Sequence, residues 1–153
     1  VGLPDFSQGK FLFLEDVQDP GNVGTMIRTA DAAGFTGVIV SDKSADIYSL
    51  KTLRSMQGSH FHLPIYRMPL ATFVEEAKKS NLPILATTLS RESKDYRELS
   101  SLENFVLVMG NEGQGISSVV AESADQLVHI GMKGRAESLN VAVAAGILMF
   151  YFS

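Results

Sequence analysis

The chain has 153 residues, enough for one domain with a core that folds on its own. It contains no cysteine, which excludes disulfides, thiolate metal sites and any cysteine nucleophile, base methylation through a cysteine adduct included. The formal net charge of −4 offers no bulk excess of Lys and Arg to a nucleic acid, so any nucleic-acid contact would have to come from a local patch or from a separate, more basic domain.

Residues 10–15 (KFLFLE) are a compact apolar run expected as a buried strand. Asp19-Pro20-Gly21-Asn22 breaks it, with Asn22 expected as the N-cap of a helix over 23–33. In that helix Met26, Ile27, Ala30 and Ala33 recur at helical spacing, and Gly34 is placed to end it. Residues 37–40 (GVIV) form a second strand, so the segment reads as a βαβ unit with a parallel sheet and a right-handed crossover. Residues 49–57 are expected as helix and 61–66 as a strand or extended segment broken by Pro64. An amphipathic helix follows over 70–80, with Phe73, Val74 and Ala77 on one side. Pro83 introduces a strand over 84–88, and the polar stretch 89–102 is expected as a loop with a helical turn at most. Residues 105–109 (FVLVM) are the most strand-like run; a glycine-rich loop at 110–115, a short helix at 116–122 and a last strand at 126–130 follow. A flexible loop at 131–137 leads into a C-terminal helix starting at Leu139 or Asn140. Its apolar run, 141–152, falls short of the roughly 20 residues that span a bilayer and reads as a buried helix. The expected fold is one α/β domain built on a parallel sheet.

Three strand-to-helix handovers carry candidate chemistry, because open α/β sheets bind ligands at the carboxyl ends of their strands. The first runs from Asn22 through Gly24, Arg28 and Thr29 to Ala30, where Arg28 is either a solvated helix charge or a ligand-facing cation. The second is Gly110-Asn111-Glu112-Gly113-Gln114-Gly115, directly after the strongest strand. It is neither a Walker A loop nor the dinucleotide spacing, and alone it is either a plain connection or a backbone cradle for a ligand. The third is Ser138-Leu139-Asn140-Val141, whose Ser and Asn either cap a helix or act in chemistry. His60, His62 and His129 do not form a metal-ligand spacing, whereas Lys51, Arg54 and Arg67 are candidates for a local RNA patch.

In this order the three segments resemble the signature motifs of the SpoU (TrmH) family of RNA 2′-O-ribose methyltransferases, within the SPOUT class. The matches are Asn22, Gly24, Arg28, Thr29 and Ala30, then Gly110 to Gly115, then Ser138 to Val141. Two departures stand out: Gly131 where the family commonly has proline, expected to loosen the loop enclosing the cofactor, and Ala142 where it often has serine, a packing change. The resemblance implies a Rossmann-like α/β knot, with a C-terminal trefoil knot over about 105–153 as an exception to unthreaded chains. It implies S-adenosylmethionine held by Thr87, Thr88, Leu89, Met109, Gly110, Asn111, Gly113, Ile130, Met132, Ser138 and Leu139. It implies a catalytic set of Arg28, Asn22, Glu112, Ser138 and Asn140, without a metal.

A guanidinium with a pKa above about 12 is a poor base, so Arg28 is expected to hold a phosphate and stabilise the developing alkoxide. Ser138 and Asn140 would then orient the 2′-hydroxyl or relay its proton. Glu112 would organise the loops or compensate the sulfonium charge. The resemblance further implies a homodimer packed through the C-terminal helix, with Phe150 and Tyr151 toward the partner, and an enzyme acting on ribosomal rather than transfer RNA; the absence of cysteine makes the cytoplasm the expected compartment. Residues 1–8 are expected as the end of a linker from an N-terminal RNA-binding domain, with the catalytic domain at 9–153. The competing expectation is a non-catalytic RNA-binding or ribosome-assembly module that keeps the fold.

Overall fold

A computed structural model describes residues 2–153, with Phe61 described through its backbone alone. The strands are β1 (Lys10–Leu14), β2 (Gly37–Val40), β3 (Ile65–Arg67), β4 (Ile84–Thr87), β5 (Lys94–Asp95), β6 (Phe105–Met109) and β7 (Gln126–His129). The helices are α1 (Pro20–Ala32), α2 (Leu50–Met56), α3 (Leu70–Lys79), α4 (Ser118–Ser123) and α5 (Val141–Phe152). The strands form one sheet in the order β3-β2-β1-β6-β4-β7-β5, every pair parallel. Parallel strands are covered on both faces, which explains why β1, β2 and β6 read as unbroken apolar runs. Leu12 and Leu14 enter one core with α1 and α5, while the alternate residues Phe11 and Phe13 enter the other with α3. Phe6, ahead of β1, is buried in that second core, edge-on to Phe11 and Phe73 at 5.0 and 6.0 Å.

Several boundaries differ from expectation, each for a local reason. The N-cap of α1 is Asp19 rather than Asn22: its Oδ1 accepts from the Gly21 and Asn22 N–H groups, and Pro20 takes the first helical position, where a missing N–H costs nothing. The segment expected as extended over 61–66 instead makes a 3₁₀ turn at Ser59–Phe61 and enters the sheet only after Pro64. The polar stretch 89–102 contributes β5 at the sheet edge and a 3₁₀ turn at Tyr96–Glu98. Arg67, a candidate for an RNA patch, is exposed, but its guanidinium is engaged within the chain. Its guanidinium donates to the carbonyls of Ser41, Asp42, Ser44 and Ala45 and so fastens the loop after β2.

Gly24 shows why a signature glycine can be required without touching a ligand. A Cβ there would lie 2.4 Å from Ser55 Cβ, 2.6 Å from the Thr52 carbonyl and 3.1 Å from the Met56 nitrogen. Helices α1 and α2 therefore touch backbone to backbone, and none of those three atoms can rotate away. Gly24→Ala should destabilise the domain by about 1–3 kcal/mol through overpacking. Chemical denaturation checks this, and an unchanged midpoint would show that the two helices part freely.

Candidate active site

A cavity of about 240 Å³ opens at the carboxyl ends of β4, β6 and β7 and is closed on one side by α5. Thr87, Thr88 and Leu89 line it after β4; Met109, Gly110, Asn111 and Glu112 line it after β6. Ile130 and Met132 come from the loop after β7, and Ser138 and Leu139 from the approach to α5. Of the residues expected to hold a cofactor, Gly113 alone lies outside this lining. Sequence reading missed Val128, His129, Gly115 and Glu137, and also Val141, Ala144 and Leu148. The last three are spaced i, i+3, i+7 on α5, a helical signal that was available. A larger cleft of about 490 Å³ lies among Asp5, Gly9, Thr36, Pro64 and Asn104, away from the strand carboxyl ends. Position rather than size selects the first as the chemical site.

The glycine loop is built by its own backbone. A Cβ at Gly110 would lie within 2.3–2.6 Å of Gly115 and Ile116 backbone atoms. Asn111 and Gly115 exchange backbone hydrogen bonds at 3.1 and 2.8 Å, and Gly115 adopts φ +71°. Asn111 Oδ1 accepts from the Gly113 and Gln114 N–H groups while its amide donates to the Asp16 carbonyl at 2.7 Å. This side chain shapes the loop and ties it to the turn after β1. Buried Glu15, at the end of β1, adds a second tie by accepting from the Ser117 N–H at 2.8 Å.

A polar chain then joins all three motifs. Glu112 accepts from the Asp19 N–H at 2.9 Å and the Gln18 N–H at 3.2 Å, and from Asn22 Nδ2 at 3.4 Å. Asn140 Nδ2 donates to Asn22 Oδ1 at 3.2 Å. Asn140 Oδ1 accepts from the Ala142 and Val143 N–H groups, so the same residue caps α5. Partial burial pushes the Glu112 carboxyl up, but the N–H groups of Asp19, Glu112 itself and Gln18, with the Asn22 amide, outweigh it and hold the pKa below its ordinary value. Glu112 is thus a charged acceptor at neutral pH.

Ser138 is exposed on the cavity rim. Arg28 is exposed, lies outside the cavity, and makes no hydrogen bond or ion pair among the described residues; six residues of helix put it about 9 Å along the α1 axis from Asn22. Lys51 and Arg54 are exposed on α2, and the Lys51 stem lies over Gly21 in the first turn of α1. No group of three or more His, Asp or Glu among the described residues could hold a metal ion.

The sequence profile of the SpoU rRNA Methylase family matches residues 9–150. The chain is 47% identical over 142 residues to the 23S rRNA (guanosine(2553)-2′-O)-methyltransferase RlmP of Bacillus subtilis (strain 168), covering 93% of this chain and 57% of that protein. It superposes on an AdoMet-bound rRNA methyltransferase from Sinorhizobium meliloti with a TM-score of 0.89 at 41% identity, covering 94% of this chain and 55% of the other. The A. aeolicus TrmH/SpoU tRNA modifying enzyme superposes with a TM-score of 0.83 at 35% identity, covering 94% of this chain and 73% of that enzyme. The chain thus spans a little over half the length of RlmP and of the Sinorhizobium protein.

Proposed function

The chain belongs to the SpoU rRNA methylase family, and from that premise we propose that it transfers the methyl group of S-adenosylmethionine to a ribose 2′-hydroxyl of ribosomal RNA rather than transfer RNA. One observation carries the reading: the loops of the second and third motifs meet at one cavity, and the first motif is joined to them through Asn22, which bonds both Glu112 and Asn140. The similarity to a 23S rRNA guanosine methyltransferase makes a guanosine of the large ribosomal RNA the first target to test.

The cavity fits the cofactor in kind. Leu89, Met109, Ile130, Met132 and Leu148 supply an apolar floor for an adenosyl group, and the glycine loop brings backbone close to it. Bound there, S-adenosylmethionine supplies an activated methyl group and its own leaving group. The protein positions the hydroxyl and manages its proton. Arg28 holds the neighbouring phosphate and the charge developing on the 2′-oxygen. Ser138 and Asn140 orient the hydroxyl, and Glu112 keeps Asn22 aimed at Asn140.

In this reading the methyltransferase domain is residues 9–153, acting in the cytoplasm where the ribosome is, as a homodimer. Val143 and Phe150 of α5, apolar yet 52% and 55% exposed, favour a second copy packing there. The Tyr151 hydroxyl, in contrast, is bound within its own chain to the Leu99 carbonyl at 2.8 Å. The trefoil knot over about 105–153 draws support from the grip of residues 97–101 on the end of α5, where Ser101 Oγ donates to the Phe152 carbonyl at 2.8 Å.

Calorimetric titration with S-adenosylmethionine and S-adenosylhomocysteine, followed by methyl incorporation into large-subunit ribosomal RNA, tests the proposal. One site per protomer and loss of incorporation on a 2′-deoxy target are expected. RNA binding without cofactor binding would establish the non-catalytic module instead.

A further inference from the structure

Gly131 follows β7 on the loop that brings Ile130 and Met132 to the cavity, and it stands where the family pattern commonly carries proline. The structure gives this departure a physical reason. Asp95, on the two-residue edge strand β5, pairs in register with His129. Its Oδ2 accepts from the Gly131 N–H at 3.1 Å. The same carboxylate is gripped by Arg97, whose backbone N–H and Nε donate to Oδ1 at 3.0 and 2.9 Å and whose Nη2 donates to Oδ2 at 2.8 Å. A Cβ at residue 131 would lie 2.6 Å from Asp95 Oδ2 and 3.3 Å from Arg97 Nη2. The carboxylate occupies the space a side chain would need, and it uses a donor that proline lacks.

The clamp is itself anchored. The Arg97 guanidinium lies 5.6 Å from the Tyr96 ring centroid, Tyr96 meets Tyr151 of α5 edge-on at 4.9 Å, and the Tyr151 hydroxyl returns to the Leu99 carbonyl. The Arg97 side chain, its backbone N–H and the Gly131 N–H hold the Asp95 carboxyl well below the usual carboxylate range, so the acceptor stays charged across the working pH range.

We infer that Asp95 is a positioning residue for the cofactor loop: fixed by Arg97, it holds the Gly131 N–H and so sets where Ile130 and Met132 face the cavity. The inference rests on the reading of that cavity as the S-adenosylmethionine site. Glycine at 131 exchanges the stiffness of a proline for a hydrogen bond to a fixed charge.

The test is a mutant cycle in the full-length protein, reading S-adenosylhomocysteine affinity by calorimetry and the kcat and KM for S-adenosylmethionine. Asp95→Ala should weaken binding about tenfold, the scale of one hydrogen bond to a charged group, and raise KM while kcat at saturation stays within about twofold. Gly131→Ala should weaken binding at least as much in the parent chain. In the Asp95→Ala background it should add less than about twofold, because the atom it strikes is gone. Asp95→Asn keeps an acceptor oxygen and should fall between; it carries the test if Asp95→Ala does not fold. Equal affinity in all variants, or strictly additive losses, would overturn the positioning role alone. A wild-type chain that binds no S-adenosylhomocysteine would overturn the methyltransferase reading, and the inference with it.

Discussion

Replacing Arg28 by alanine should lower the methylation rate about 10²–10³-fold while S-adenosylhomocysteine affinity stays within about twofold. The first part follows from chemistry. Loss of the 2′-hydroxyl proton as the oxygen attacks places negative charge on it beside an RNA phosphate, and removing a preorganised donor to such charge costs about 2.7–4 kcal/mol. The second part follows from position, since Arg28 is exposed on α1 and absent from the cavity lining. No described partner competes for its guanidinium, so it is available to a phosphate. Arg28→Lys should recover a minor part of the rate, because an ammonium keeps the charge and loses the two-pronged donor geometry. Single-turnover kinetics beside calorimetry separate the two effects. A parallel loss of rate and affinity would move Arg28 into the cofactor site and end its assigned role.

Asn140 is expected to show two losses that one substitution combines and another separates. Asn140→Ala removes the cap of α5, costing about 0.5–2 kcal/mol of stability, and removes the donor to Asn22. The rate should fall about 10²-fold, the scale expected when reacting groups lose their alignment. Asn140→Ser supplies a capping oxygen too short to keep the Asn22 bond. Stability should therefore return toward the parent value while the rate stays low. Thermal unfolding and methyl-transfer rates on the same samples decide it: a serine variant with a near-normal rate would reduce Asn140 to a helix cap.

The order of strands and helices was legible wherever apolar periodicity was strong. The runs at Lys10–Leu14, Gly37–Val40 and Phe105–Met109 are strands, and Leu70–Lys79 is a helix within one residue of expectation. The three motifs were legible at strand-to-helix handovers; the structure brings the second and third to one cavity and ties the first to them through Asn22. The polar edge was not legible. Strand β5 has no apolar residue, and it exists because β7 offers unpaired backbone groups for Lys94 and Asp95 to meet.

The sequence by itself determined the parallel α/β class, the strand-to-helix positions of Asn22, Glu112 and Asn140, and the resemblance that names the chemistry. Those follow from periodicity and turn residues within short windows of chain. Only the tertiary structure decided what each side chain is used for. It took the cap of α1 from Asn22 and gave it to Asp19, which freed the Asn22 amide for Glu112 and its oxygen for Asn140, 118 residues away. It set Arg67 on four carbonyls of the loop after β2 and gave Gly131 a partner at Asp95. A polar side chain has several partners of similar worth, and local sequence does not rank them. The fold does, by bringing one within about 3 Å and removing water from the rest.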